Sequence, residues 1–261
     1  MVAKRCWTLT LVATLGFAPA AEAQEAEPPP QAGMERMDGP VGLQLALSAG
    51  VGAGLGYVYK NGVSRTTGQP EDVKVTDGSS VTLPVLLEVG YRASPKCYIG
   101  VWGSYEKVFT KTSDITCPEG SDCSVWMWRL GPEVRYHFSP GAGFDPWVGL
   151  GVGLEILRND VESETTITVP DVGPVPARVE ASTTDRGPTF ARLSFGGDVR
   201  ISRSFFLGPI LTASIGSYTV HTGELRVTPP GLPSVTIQEP PVDDGVHALF
   251  TLGLRVAWLP L

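Results

Sequence analysis

Eight segments of this 261-residue chain alternate between apolar and polar residues, so that every second side chain is apolar. A period of two is the pattern of a β-strand with one apolar face. In the fourth segment, Leu130 and Val134 share one face, opposite Glu133. The eight segments are residues 42–59, 81–93, 98–110, 124–138, 146–157, 189–202, 205–220 and 246–258. The alternation predicts an all-β chain built from eight long strands.

The connections between these segments are alternately long and short, with 21, 4, 13, 7, 31, 2 and 25 residues in order. Short turns at one end and long loops at the other are typical of an up-and-down membrane barrel, in which the apolar face meets lipid. A secreted sandwich or lipocalin-like barrel, with its apolar face inside, is the alternative. The connection lengths favour an eight-stranded antiparallel up-and-down transmembrane β-barrel.

Aromatic residues gather near both ends of the segments, as in the two interfacial girdles of a membrane barrel. The residues assigned to the girdle at the short turns are Tyr91, Tyr98, Tyr136, Phe138, Trp147, Phe205 and Trp258. Those assigned to the girdle at the long loops are Tyr57, Tyr59, Tyr105, Phe109, Trp126, Trp128 and Tyr218. This distribution supports the membrane barrel over the secreted sandwich.

The N-terminal residues predict export from the cytoplasm. Lys4 and Arg5 precede an apolar stretch, and a small-x-small cleavage site ends at Ala23, so residues 1–23 are predicted to be a signal peptide. Residues 24–40 are rich in proline and polar side chains and are interpreted as a flexible periplasmic leader. The barrel domain is expected to occupy residues 41–261.

Composition excludes several classes of function. A formal net charge of −7 gives no electrostatic footprint for nucleic acid. The 31 glycines and 23 prolines argue against a chain of long helices. Histidine and cysteine residues show no metal-ligand spacing, so neither a metal nor a cofactor is expected.

Cysteine positions predict one disulfide. Cys117 and Cys123 bracket a short polar loop, and an oxidising compartment favours a bond between them. Two free surface thiols are the alternative. Cys97 is expected on a turn at the opposite membrane face, out of reach of the other pair.

With these features, residues 41–258 resemble the small eight-stranded outer-membrane β-barrels of the OmpA and OmpX superfamily. The sharpest local similarity is the segment 251–258, in which Thr251, Gly253, Val256 and Trp258 match the C-terminal assembly signal of such barrels. The family usually ends on its terminal aromatic residue, whereas here residues 259–261 follow Trp258. The resemblance implies an outer-membrane location with both termini periplasmic. It also implies contact with outer-membrane lipid and lipopolysaccharide, and with the barrel-assembly machinery.

The polar face of the strands collects eleven charges, expected to fill the barrel interior: Glu88, Arg92, Glu106, Arg129, Glu133, Arg135, Glu155, Arg192, Asp198, Arg200 and Arg255. Five acids against six bases predict interlocking ion pairs, because unpaired buried charges are costly. An eight-stranded barrel is just wide enough to be filled by its own side chains. Glycines on the same face, at 50, 52, 54, 56, 149, 151 and 153, are interpreted as leaving room for bulky arginines.

These features predict a surface protein that is structural, with at most a small or gated pore. The alternative is an adhesin that recognises a ligand through the loops 158–188 and 221–245, where the strands are expected to continue as hairpins. A lipid-modifying enzyme is less favoured, so no catalytic residue is assigned. His221 and His247, flanking the last long loop near Asp243 and Asp244, are the candidates for a rim dyad.

Overall fold

The computed structural model describes residues 39–63, 69–111, 117, 119–169, 173–231, 233–238 and 242–260. The chain divides into two units, Met1–Asp38 and Gly39–Leu261, and only the second contains described residues. The predicted signal peptide, residues 1–23, therefore lies outside the described residues. So does the predicted leader, apart from residues 39 and 40.

The described chain consists almost entirely of strands, with one short helix near the first long connection. In chain order the elements are β1 (Gly42–Val63), β2 (Pro70–Lys74), α1 (Val75–Gly78), β3 (Ser79–Ser94), β4 (Cys97–Thr110), β5 (Asp122–His137), β6 (Phe144–Val169), β7 (Gly173–Arg200), β8 (Phe205–Tyr218), β9 (Val220–Thr228), β10 (Val235–Gln238) and β11 (Asp243–Trp258). Each of the eight segments that the alternation predicted forms a strand.

Eight of these strands form a closed antiparallel ring in the order β1, β3, β4, β5, β6, β7, β8, β11. The ring closes because β11 pairs with β8 on one side and with β1 on the other, where Leu45 lies opposite Trp258. Closure leaves no unpaired sheet edge within the ring, as a strand structure inside a membrane requires. The predicted fold class is confirmed: the chain is an eight-stranded antiparallel up-and-down barrel.

The two faces of the barrel wall have opposite chemistry. Outward side chains such as Leu130 and Leu254 are apolar and more than 60% exposed, whereas inward ones such as Glu88 are almost fully buried. This arrangement inverts that of a soluble barrel, since the apolar surface faces outward and the charges lie inside. No helix within the described residues is long and apolar enough to cross a membrane.

Turns at one end of the ring are short, and the chain enters and leaves the barrel there. Residues 95–96, 138–143 and 201–204 form these turns, so this end is called the short-turn end and the opposite one the long-loop end. The β11–β8 pairing continues one residue beyond Trp258, since the backbone amide of Leu259 donates to the carbonyl oxygen of Ser204 at 2.9 Å. Leu259 is buried in a small cluster with Ala46, Phe206 and Ala257.

At the long-loop end, β6 and β7 continue past the ring as a hairpin. β9 pairs with the extended part of β7, and β10 pairs with β9. We call residues 158–169 of β6 and 173–187 of β7, together with β9 and β10, the projecting sheet. The expected continuation of the strands as a hairpin is thus present, and most of the segment 158–188 is strand rather than loop.

The polarity of both faces reverses where the projecting sheet leaves the ring. On the outer face of β6, Leu154 and Ile156 are followed by Arg158 and Asp160. On the inner face, Glu155 is followed two residues later by Leu157. The reversal marks the level at which the outer face of β6 passes from an apolar to an aqueous environment.

The two aromatic girdles are present, but three of the residues assigned to them lie inside the barrel. Tyr91, Tyr136 and Trp258 lie outside at the short-turn end, and Tyr105 and Trp128 lie outside at the long-loop end. Three residues assigned to the girdles are instead buried inside the barrel: Tyr98, Trp147 and Tyr218. The strand parity places them there, because Trp147 shares its face with the inward Asp145 and Glu155.

Candidate functional site in the barrel interior

The centre of the barrel is crossed by a chain of buried ion pairs that uses every second strand of the ring. Arg135 on β5 bonds Glu88 on β3, and Arg192 on β7 bonds Glu133 on β5. Because the strands twist and tilt, inward side chains from alternate strands meet across the lumen. We call this group, completed by Arg255 and Asp198, the charge ring.

Arg255 on β11 completes the charge ring. Its Nε donates to Oε2 of Glu88 at 2.6 Å, and its Nη1 donates to Oδ1 of Asp198 on β7 at 2.8 Å. Arg135 also bonds Glu133 at 2.5 Å on its own strand. The pairs therefore link β3, β5, β7 and β11, and no member of the charge ring is more than 3% exposed. Such a network holds the barrel wall together from inside.

Aromatic rings fill the space between these arginines. The guanidinium of Arg135 lies 3.9 Å from the ring centroid of Trp147, and that of Arg192 lies 4.5 Å from the ring centroid of Trp102. A cation over the face of an indole ring is attracted by its quadrupole, more strongly when water is excluded. Arginines of the charge ring are thus packed against tryptophan rings as well as paired with carboxylates.

Some of the inward glycines make room for aromatic rings inside the barrel rather than for arginines. A Cβ on Gly151 or Gly153 would lie 2.9 Å and 3.0 Å, respectively, from the indole of Trp102. A Cβ on Gly100 would meet the phenol of Tyr98. The prediction that the glycines at 50, 52, 54, 56, 149, 151 and 153 leave room for arginines is wrong, because no arginine atom is among the nearest neighbours of a Cβ added at any of them.

Two further groups close the interior toward the long-loop end. Arg129 bonds Glu106 and donates from Nη1 to Oγ of Ser214 at 2.8 Å. Above them, Nε2 of His247 lies 2.8 Å from Oε1 of Glu155, and the His247 ring stacks on Tyr218 with centroids 4.3 Å apart. The interior is therefore filled with side chains between the charge ring and the long-loop end.

A third group lies at the short-turn end. Nδ1 of His137 is 2.8 Å from Oδ2 of Asp145 and 2.6 Å from Nη2 of Arg92. His137 has no exposed surface. Arg92, predicted to join the interior network, is bound here by His137 and Asp145, which were not predicted to lie inside the barrel.

No protein-family model and no curated protein matches the sequence. Among solved structures, the chain is similar to Neisserial surface protein A, with 13% identity and a TM-score of 0.39 over 81% of this chain and 96% of that one. It is also similar to the outer membrane protein OprG from Pseudomonas aeruginosa, with 10% identity and a TM-score of 0.44 over 86% and 99%. A major outer membrane protein from Thermus thermophilus gives 13% identity and a TM-score of 0.43 over 83% and 98%. Identities of 10–13% carry no information about the function of this chain.

Ten of the eleven predicted interior charges point inward and are buried, and Arg200 does not. Arg200 is the last residue of β7, where the barrel opens to solvent, and its guanidinium lies over the ring of Phe206 at 5.6 Å. The prediction for Arg200 is wrong. Its position has inward parity, but the barrel wall ends at this residue, so the side chain meets solvent rather than the lumen.

Three acidic or histidine side chains that the ion-paired interior contains were not predicted to lie there. Asp145 falls one residue before the predicted start of its segment, although it has the same parity as Glu155. His137 and His247 carry the inward parity of their strands but were not assigned to the interior. Their parity was the signal that could have placed them inside.

The candidate rim dyad is not supported by this geometry. His247 is 2% exposed and lies inside the barrel beside Glu155. His221, on β9 of the projecting sheet, bonds Oδ1 of Asp185 at 2.7 Å. This hydrogen bond to a carboxylate, together with its charge, raises the pKa of His221 above its ordinary value of 6.5 despite an opposing effect of burial.

The remaining site residues lie at the two ends of the barrel. The structure joins Cys117 and Cys123 by a disulfide at the long-loop end, and Cys97 begins β4 at the short-turn end. Thr251, Gly253, Val256 and Trp258 lie on β11, paired with both β1 and β8. No cluster of His, Cys, Asp and Glu among the described residues could hold a metal ion.

Proposed function

We propose that this protein is a surface protein of the bacterial outer membrane whose barrel is a structural scaffold with at most a small or gated pore. The observation that carries the proposal is the charge ring. Its members come from four of the eight strands and interlock across the lumen, with tryptophan rings between them. A solute passing through would have to break several buried ion pairs at once, which costs several kcal/mol for each uncompensated charge.

The apolar outer surface supports the outer-membrane location. Exposed leucines, valines and aromatic residues surround the ring, and such a surface is stable only in lipid. Both ends of the barrel domain lie at the short-turn end. If the predicted signal peptide carries the N-terminus into the periplasm, the short turns are periplasmic and the projecting sheet is extracellular.

Single-channel recording in planar bilayers tests the proposal. The wild-type barrel is expected to give no large, steady open channel. The double variant Glu133→Ala/Arg192→Ala removes the Arg192–Glu133 pair together with the Arg135–Glu133 pair and is expected to raise the conductance. Arg158→Ala/Asp160→Ala, an exposed pair on the outer face, is the matched control and should leave the conductance unchanged. Large, steady channels in the wild-type protein would overturn the proposal.

A second candidate function is recognition of an extracellular protein by the projecting sheet. One observation favours it: β10 is an edge strand, and Val235 and Ile237 on it are 56% and 53% exposed. An exposed edge can accept a further strand through main-chain hydrogen bonds.

Binding of host or matrix proteins by whole cells tests this second function. Deletion of residues 160–185 should abolish binding. Val235→Lys/Ile237→Lys should weaken it more than Thr236→Lys/Gln238→Lys, which adds the same charge to the opposite face of the same strand. Equal binding by all of these variants and by the wild type would exclude the projecting sheet as the recognition surface.

A further inference from the structure

The lipid-facing wall of the barrel is not smooth. A concavity of about 710 Å³ opens outward between β5, β6 and β7. Its walls are formed mainly by Leu130, Pro132, Val152, Leu154, Pro188 and Phe190. Leu154 and Phe190 are 68% and 53% exposed and stand at its sides. We call this concavity the wall groove.

The wall groove exists because the strands are irregular at this level. The β6–β7 register shifts between Gly151 and Gly153, and the β7–β8 register shifts between Thr189 and Ala191. Pro132 and Pro188 have no backbone amide and so cannot donate to the ladder. Backbone therefore replaces side chains at the floor of the groove, with the indole of Trp102 directly behind it.

The groove lies within the apolar belt, below the level at which the outer face becomes charged. Leu154 precedes Ile156 on the outer face of β6, and Arg158 follows. Molecules in the aqueous phase do not reach this level, whereas hydrocarbon chains surround it. A groove of this shape and apolar lining fits an acyl chain, which binds there through van der Waals packing against the walls, because the surrounding hydrocarbon leaves no hydrophobic transfer term.

A cationic side chain stands at the upper end of the groove. Arg186 is two residues before Pro188 on the same face of β7 and pairs with Ile156 across the ladder. Its side chain is exposed and makes no ion pair within the described part of the chain. Arg158 lies on the same face of β6, where its Nε bonds Asp160 at 3.0 Å. Arg186 is therefore the guanidinium free to meet an anionic group above the groove.

We propose that the wall groove and Arg186 form a binding site for one lipid of the leaflet at the long-loop end, with an acyl chain in the groove and a phosphate of its headgroup on Arg186. A guanidinium matches phosphate oxygens with two parallel hydrogen bonds. The inference rests on the proposed function, since the barrel must span a membrane with its long-loop end on the side of the outer leaflet.

Native mass spectrometry in detergent micelles, with bis-phosphorylated lipid A as the probe, measures the occupancy of the site. The wild-type barrel should retain one tightly bound lipid. Arg186→Gln should lower the affinity about fivefold, the ratio expected for one exposed charge pair. Val152→Trp, which fills the groove from the lipid side, should remove the tightly bound lipid. A phosphate-free lipid with the same acyl chains should bind more weakly and should not respond to Arg186→Gln.

Matched variants separate this site from general attraction to lipid. Arg226→Gln removes a similar exposed charge from β9, and Val51→Trp adds the same ring to the lipid face of β1, on the opposite side of the barrel. The proposal would be overturned if Arg226→Gln lowered the affinity for the lipid as much as Arg186→Gln. It would also be overturned if Val51→Trp removed the bound lipid as completely as Val152→Trp. Heat-modifiable mobility on detergent gels is recorded for every variant. A wild-type chain that does not fold into a heat-modifiable barrel contradicts the proposed function, whereas a folded wild-type barrel without the bound lipid contradicts only this inference.

Discussion

Arg255 on β11 donates a 2.6 Å hydrogen bond to Glu88 on β3, across the intervening strand β1. The same guanidinium donates to Asp198 on β7, across the intervening strand β8. One side chain thus ties together three strands that are not neighbours. No backbone ladder makes these connections, so the charge ring stabilises the shape of the barrel independently of its hydrogen-bonded wall.

Arg255→Met is expected to destabilise the barrel by about 3–5 kcal/mol, because it leaves Glu88 and Asp198 buried with less compensation. Urea unfolding, followed by heat-modifiable gel mobility, measures the free energy of unfolding. Arg226→Met, which removes an exposed arginine from β9, is the control and should change stability little. A loss below about 1 kcal/mol for Arg255→Met would mean that water, rather than protein, compensates these charges.

Gly151→Val is expected to destabilise the barrel by about 1–3 kcal/mol through overpacking. The added Cβ would lie 2.9 Å from both Nε1 of Trp102 and the carbonyl oxygen of Pro132. The same unfolding assay measures the loss. Gly143→Val is the control, since no atom lies within 4 Å of the position of its added Cβ. The double variant Trp102→Leu/Gly151→Val should lose less unfolding free energy than the two single variants lose together. Full additivity would contradict a contact between position 151 and Trp102.

His221 is expected to titrate with a pKa above 6.5, because Asp185 favours its protonated form. A raised folded-state pKa means that this histidine adds stability that is fully present below pH 6.5 and is lost as the pH rises through the folded-state value. NMR titration of the His221 ring measures the pKa. Protease cleavage of the projecting sheet should accelerate over the same pH range in the wild type.

Asp185→Asn is the control for His221. It removes the carboxylate and should return the pKa of His221 towards 6.5, with a smaller change of cleavage rate with pH. A wild-type His221 that titrates at or below 6.5 would show that burial outweighs the contact with Asp185.

Replacing Cys117 and Cys123 by alanine is expected to cost at most about 2 kcal/mol, because the closed loop is short and its loss of entropy is small. The bond lies at the long-loop end, away from the charge ring. Unfolding in urea, compared with that of the Cys97→Ala variant, measures the effect. A larger loss would mean that the bond also positions the β4–β5 connection against the wall.

Strand parity was readable from the sequence and predicted most of the interior. Glu133, Arg135 and His137 alternate with outward apolar residues, so their inward direction follows from the period of two. The same parity would have placed Trp147 and Tyr98 inside, had their aromatic character not suggested the girdles. The eight strands and their up-and-down order followed from the alternation and the connection lengths.

The pairs themselves could not be predicted. Arg255 and Glu88 are 167 residues apart in the chain, and their contact depends on closure of the ring and on the register of β11 against β1. Glu155 approaches His247 rather than an arginine for the same reason. A bulge between Thr189 and Ala191 shifts the inward positions of β7 from odd-numbered to even-numbered residues, and the sequence pattern does not predict this bulge.

The sequence by itself determined, at most positions, which residues face lipid and which face the lumen, because alternation is a local property of each strand. Only the tertiary structure decided which interior charges meet, where tryptophan fills the gaps, and where the wall is indented. Those features depend on the stagger and tilt of eight strands around a closed ring, and that geometry is set by the whole barrel rather than by any one segment.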